Sequence, residues 1–193
     1  MSQFAIETNR LLLRHAALED IDAVFRLFSN PELMKYWNTL PQTDRSQAQA
    51  TVERMMARID SDDGLELIIV LKASGEAIGT CALHNLHAPS RRAEIGYSLD
   101  PPFWGKGYMQ EALERLVEHA FTVLHLNRLE ADIDPANLAS ARSLERLGFT
   151  KEGFMPERWI VGDTFSDTAF YGLLKRTWQA RTTPSQIPNQ STP

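Results

Sequence analysis

One cysteine stands in 193 residues. Cys81 has no intramolecular partner, which excludes a disulfide-stapled secreted scaffold and points to a reducing compartment. Long apolar runs are missing too: the best, LELIIVL at 65–71, has the length of a strand and not of a membrane span. The opening MSQFAIETNR has no basic segment followed by an apolar one, so it does not read as a signal peptide. Nor is there excess positive charge. Twenty Lys and Arg against 25 Asp and Glu leave a formal charge of −5, which removes the long-range attraction a general nucleic-acid binder needs. What remains is 43% hydrophobic and 23% charged, an ordinary composition with chain enough for one core. The expectation is a cytoplasmic protein with no membrane and no direct nucleic-acid partner, either a monomer or a homodimer.

Strand and helix signals alternate along the chain. RLLLR at 10–14 is a short apolar run with charged ends, and Leu18, Ile21, Val24, Phe25 and Phe28 then recur at helical spacing until Asn30-Pro31 stops them. Residues 31–41 read as a loop rich in large apolar side chains, and 44–58 as a second helix ended by Asp62-Asp63-Gly64. Three strands follow at 65–72, 77–84 and 93–99, the first two joined tightly by Ala73-Ser74-Gly75. The clearest amphipathic helix runs from Met109 to Leu124. A strand at 128–133, a helix at 138–147 capped by Gly148, and two strands at 154–161 and 166–175 around a Gly162-Asp163 turn complete the pattern. Residues 182–193 are too polar to offset the entropy of ordering them. This order mixes hairpins with crossover helices, so a mixed α/β sheet is expected and a doubly wound nucleotide fold is not.

The stretch PPFWGKGYMQE at 101–111 carries the chemistry. A strand ends, two glycines bracket Lys106, and a long helix begins. Glycines let a ligand approach the backbone, while the first N–H groups of a helix lack partners at the positive end of its dipole. That is an anion site. It is neither of two familiar phosphate loops, because Gln110 replaces the third glycine of GxGxxG and Gly107 replaces the Ser or Thr of a Walker A lysine.

Four segments then occur in order: ETNRLLLR at 7–14, AEIGYSL at 93–99, WGKGYMQEAL at 104–113 and NLASARSLERLGF at 137–149, with EG…GD…FYGLLKRTW closing the chain at 152–178. In these the sequence resembles the GCN5-related N-acetyltransferase superfamily, and within it the branch of ribosomal-protein N-terminal acetyltransferases. One position departs: Pro102 stands where the pyrophosphate loop usually opens with Gln or Arg. The resemblance implies a single α/β (α+β) domain over 7–179 and a disordered tail over 180–193. Its central sheet would be mixed but mostly antiparallel, with about seven strands splayed between two parallel ones and about four flanking helices.

The resemblance also implies acetyl-CoA as co-substrate, no metal, and an amine as acceptor, either a protein N-terminus or a small molecule. Ile95, Gly96, Tyr97, Ser98 and Leu99 would pair with the pantetheine arm as a strand would. Trp104, Gly105, Lys106, Gly107, Tyr108 and Met109 would form the pyrophosphate loop. Asn137 and Ser140 match the polar pair near the pantetheine and sulfur, and Arg142 would meet the adenosine phosphates or simply face solvent. The reaction would be direct attack of the amine on the thioester, which calls for a base, an N–H donor to the carbonyl oxygen and a proton for the thiolate. Glu94 is the candidate base, with a salt bridge to Arg91 or Arg92 as its plain alternative and Glu157 as rival. The superfamily's tyrosine acid is replaced by Leu144, which leaves Ser140 as the nearest hydroxyl unless it merely caps its helix. Tyr97 and Tyr171 read as packing residues.

Cys81-x-x-His84-x-x-His87 offers zinc-type ligands, but no fourth is evident, and burial of Cys81 explains it better. The loop at 31–41, with Met34, Tyr36 and Trp37, is where relatives bind the acceptor, and it also has the composition of core. A coenzyme A-binding module without catalysis is the second reading, favoured by Leu144 and opposed by Glu94, Asn137 and Ser140. A nucleotide-dependent redox protein is a distant third.

Overall fold

Alternation in the RLLLR run builds the first part of the sheet. In the computed structural model, which describes residues 4–59 and 64–182, Leu11–Arg14 (β2) buries Leu11 and Leu13 fully and turns Leu12 and Arg14 to the opposite face. It pairs antiparallel with Leu65–Leu71 (β3) on one side and with Ala5–Glu7 (β1) on the other. Glu76–His87 (β4) and Arg92–Leu99 (β5) extend the antiparallel run. One parallel pairing then joins β5 to Arg128–Ile133 (β6). Beyond it lie Thr164–Leu174 (β8) and, at the edge, Thr150–Val161 (β7), both antiparallel. The order is β1-β2-β3-β4-β5-β6-β8-β7.

Helices cover both faces. On one, Ile21–Phe28 (α1) and Arg45–Ala57 (α3) pack Val24, Ala48 and Val52 against Ile68 and Val70. On the other, Tyr108–Thr122 (α4) and Leu138–Leu147 (α5) bury Leu113, Leu116, Phe121 and Leu144 against Leu67, Leu83, Ile95 and Leu129. The start of α5 is set by Asn137, whose side chain accepts from the Ser140 N–H at 3.1 Å, and its end by Gly148 at φ 99°. No helix among the described residues is long and apolar enough to cross a membrane.

The mixed, mostly antiparallel sheet is as expected, with eight strands and six helices among the described residues in place of about seven and four. β1 is missed because three residues show no period; only its hairpin register against β2 defines it. Asn30-Pro31 does stop α1, but it also starts a short helix, Pro31–Met34 (α2), whose first turn Asn30 caps at 2.9 Å. β7 starts at Thr150 and not near 154, and β4 runs on to His87 past an irregularity at Asn85. The last helix, Lys175–Thr182 (α6), carries Trp178 onto Phe121, ring centroids 5.4 Å apart, and extends beyond residue 179. Most of the expected tail, and Asp62-Asp63, lie outside the described residues.

Only three residue pairs join β5 to β6: Arg92 with Arg128, Ala93 with Leu129 and Glu94 with Glu130. Charges clamp that short ladder. Arg92 meets Glu130 at 2.8 Å, Arg128 meets Glu130 at 2.7 Å, and Arg128 also pairs with Glu152. Past Glu94 the two parallel strands separate, and no further ladder pair joins them among the described residues.

Candidate active site

The separation of β5 from β6 opens a cleft of about 210 Å³ through the sheet. Strand alternation divides its walls. Directly opposed residues share a face, so Glu94, Gly96 and Ser98 stand with His84, Ala82 and Thr80 on the α1/α3 side. Ile95, Tyr97 and Leu99 turn to the α4/α5 side. The cleft is lined from both: His84 and Gly96 on one side, Ile95, Tyr97, Asn137 and Ser140 on the other.

On the α4/α5 side the Tyr97 hydroxyl and Ser140 Oγ are 2.7 Å apart. Burial pushes the Tyr97 phenol up to about 12, so it stays protonated and available as a donor. Ser140 does not cap its helix: Asn137 does, and Ser140 supplies the N–H. Leu144 is fully buried in the core. Ser98 faces away from this wall and bonds Thr80 Oγ1 at 2.8 Å.

The glycine loop at 105–107 leads into α4. Gly105 and Gly107 adopt φ 71° and 78°, and Gly107 is the N-cap with no side-chain partner for the first turn. Trp104 latches the loop to β5 by donating from Nε1 to the Leu99 carbonyl at 2.5 Å. Lys106 lies over the Phe103 ring, and Tyr108 under the Arg10 guanidinium at 4.4 Å. Arg10 braces this loop from the β1–β2 turn: its Nη1 donates to the Lys106 carbonyl at 3.0 Å, and its Nε and backbone N–H both donate to Glu111. Met109 is half-buried beside the core, and Arg142 is exposed on α5. It is Arg146, one turn on, that reaches back to Gln110 at 3.2 Å.

Glu94 is not paired with Arg91 or Arg92. Its neighbour is His84, with Nε2 and Oε2 3.6 Å apart. Glu157 stays outside the cleft, in a bulge of β7 at φ 50°. Strand alternation also separates the zinc-type trio: Cys81 is buried on the α4/α5 side with its thiol pushed up to about 12, His84 is on the other face, and His87 accepts from Ser90 N.

The segment after α1 does both jobs open to it. Leu33 and Met34 are buried with Leu27, while Tyr36, Trp37 and Asn38 line the cleft. Three carboxylates were not foreseen there: Asp132 and Asp134 at the end of β6, and Asp167 on β8. Trp37, Asp134, Ser166 and Asp167 also border an adjoining groove of about 580 Å³ that leads outward past Leu40 and Phe165.

A thiol- or phosphate-bearing strand-like ligand on one side and a cationic nucleophile on the other would meet at the split. Residues 10–150 match the family model described as "Acetyltransferase (GNAT) domain". The chain belongs to the GNAT acetyltransferase family. The uncharacterised N-acetyltransferase p20 of Bacillus licheniformis is 37% identical to this GNAT chain over 171 residues, 89% of it and 96% of p20. YdaF of Bacillus subtilis, whose name assigns it provisionally to ribosomal N-acetylation, is 38% identical over 105 residues, 54% of this chain and 57% of YdaF. The solved GNAT acetyltransferase of Bacillus anthracis superposes with a TM-score of 0.79 at 25% identity, covering 90% of this chain and 99% of that one. The family relationship accounts for the split sheet and the glycine loop together. His84 and the three aspartates, by contrast, carry no motif; only the cross-strand register could have singled them out.

Proposed function

We propose that the protein is an acetyl-CoA-dependent N-acetyltransferase acting on a cationic primary amine in the cytoplasm. The observation that carries this reading is the two-sided cleft at the β5–β6 split. Its α4/α5 side suits acetyl-CoA. The loop at 105–109 offers backbone N–H groups without a side-chain cap, and a Cβ added to Gly105 would meet nothing within 4 Å, so the loop surface is open to a bulky anion. The edge of Ile95, Gly96, Tyr97, Ser98 and Leu99, left without a β6 partner, suits a pantetheine arm, which hydrogen-bonds like a strand. Bound acetyl-CoA supplies an acetyl group activated as a thioester.

The chain's own residues do the rest. Lys106 adds charge at the phosphates, Trp104, Tyr108 and Met109 shape the loop, and Arg142 is free to approach from α5. A main-chain N–H of β5 donates to the acetyl oxygen. Tyr97 donates to Ser140, which turns the serine proton toward the sulfur; Asn137 fixes the turn that presents it. Glu94 supplies the negative charge that draws a proton from the acceptor. The acceptor enters from the α1/α3 side, where Asp132, Asp134 and Asp167 favour a cation. Protein N-termini, as in the ribosomal branch, and small amines both meet that requirement. The chemistry calls on no metal.

Thiol release from acetyl-CoA, measured with an alanine-initiated peptide, a polyamine and an aminoglycoside, tests the reading. Turnover with at least one amine is expected. Acetyl-CoA binding without turnover on any of them would favour the non-catalytic module, for which Leu144 in the tyrosine slot is the one supporting observation.

A further inference from the structure

We propose that His84 is the side chain that takes the proton from the acceptor amine, and that Glu94 is a positioning residue acting through it. This rests on the acetyl-transfer reading above. Three observations carry it. His84 lines the cleft on the acceptor's side, whereas Glu94 does not reach the lining. The imidazole is oriented: Nε2 faces Glu94 at 3.6 Å, and the edge bearing Nδ1 and Cε1 lies over Gly96 at the split. At that separation the carboxylate acts by charge and not by a direct hydrogen bond. A proton held on Nε2 leaves the Nδ1 lone pair for the amine. Finally, position 96 is built around the ring, since a Cβ there would come to 3.0 Å from Cε1.

The other carboxylates in the cleft are committed elsewhere. Asp134 accepts from Ala136 N at 2.7 Å, Asp167 accepts from Glu157 N at 2.8 Å, and Asp132 faces Arg158 at 3.9 Å. Neither nitrogen of His84 has a hydrogen-bond partner among the described residues. Around it, β5 presents Glu94 and, on its other face, Tyr97; β3 presents Glu66, which is bound to Arg58 at 2.7 Å; and the far wall presents Asp132, Asp134 and Asp167. Lys35, just after α2, is turned onto the Tyr36 ring. Acidic side chains outnumber basic ones around the ring, and the cations Arg58 and Arg158 are each paired with one of them.

The proton count closes. An entering ammonium brings three protons. One passes to His84 Nδ1 and then to solvent, which frees the nitrogen lone pair. As the N–C bond forms and the C–S bond breaks, a second goes to the departing sulfur with the bonding pair left there, and the third stays on the amide.

His84→Gln and Glu94→Gln, assayed on the best amine of the panel, test the assignment. General bases contribute about 10²–10⁴-fold, so His84→Gln is expected to lower kcat by at least about 100-fold, with the KM for acetyl-CoA little changed. The acid limb of the wild-type pH profile should disappear in His84→Gln, persist in Glu94→Gln, and the rate should recover in part when imidazole is added. Unchanged melting temperature and an unchanged acetyl-CoA thermal shift show that the variant is folded and loaded. A folded, loaded His84→Gln within about two-fold of the wild-type kcat overturns the proposal while leaving acetyl transfer intact. Absence of turnover by the wild type on every amine overturns the reading and the proposal together.

Discussion

Position 107 separates backbone strain from ligand charge. Gly107 is held at φ 78°, where an L-residue pays roughly 1–2 kcal/mol. A new Cβ would lie 3.4 Å from Nη2 of Arg10, the tip of a flexible side chain, so sterics add little. Gly107→Ala should therefore lose about 1–2 kcal/mol, which at roughly 2–4 °C per kcal/mol lowers the melting temperature by several degrees. Gly107→Asp should lose less. Aspartate tolerates the left-handed region better than alanine, and a negative charge at the N-terminus of α4 gains about 0.3–1 kcal/mol from the helix dipole. Acetyl-CoA reverses that order. At one hundred times its Kd a ligand adds about 2.7 kcal/mol, a shift the wild type should show clearly. The alanine variant should keep most of it, because its N–H groups remain in place. The aspartate variant should lose it, because its carboxylate stands where the pyrophosphate would. Differential scanning fluorimetry of the three proteins with and without acetyl-CoA reads both effects. A full acetyl-CoA shift in Gly107→Asp would refute the placement of the anion site.

Other expectations follow from single contacts. Arg10→Ala removes the brace between the β1–β2 turn and the glycine loop; steady-state kinetics should show a higher KM for acetyl-CoA, by about 3–10-fold, with kcat preserved. Leu144→Tyr puts a phenol into a fully buried core position; chemical denaturation should show a loss of about 1–3 kcal/mol from overpacking, and the rate should not rise. Burial, and then the charge of Arg115, hold His119 below the usual histidine range. The unfolded chain therefore takes up this proton first as pH falls, so the stabilisation is complete above about pH 6.5 and is lost as pH drops through the folded value. Urea midpoints between neutral and acidic pH should fall less steeply in His119→Gln.

The glycine loop before α4 was legible because everything it needs is local: two glycines, a lysine and the start of a strongly periodic helix. The helix at 138–147 and its Gly148 cap were legible for the same reason. The split between β5 and β6 was legible only through the family resemblance; periodicity gives two strands but not the point at which their pairing stops. His84 was missed because its meaning lies across the sheet, in the register that sets it opposite Glu94 and beside Gly96. Asp132 and Asp134 stand 35 and 33 residues before Asp167, yet all three line one wall. The early half of β7 escaped because both its faces are exposed, which erases the alternation that marks a strand. α6 escaped because an apolar strand runs straight into it without a breaker.

A sheet that parts in its middle behaves mechanically as two plates on a hinge. Here five strands form one plate and three the other, and the hinge is three residues long. One face of it is ionic, with Arg92, Arg128, Glu130 and Glu152, while on the other Ala93 and Leu129 are fully buried in the apolar core that both plates share. Salt weakens the charged face of such a joint and leaves the buried one in place. A ligand lying along the open edges would take the place of a missing strand between the two plates. The line where the sheet stops pairing is thus also the line along which the proposed reactants would meet.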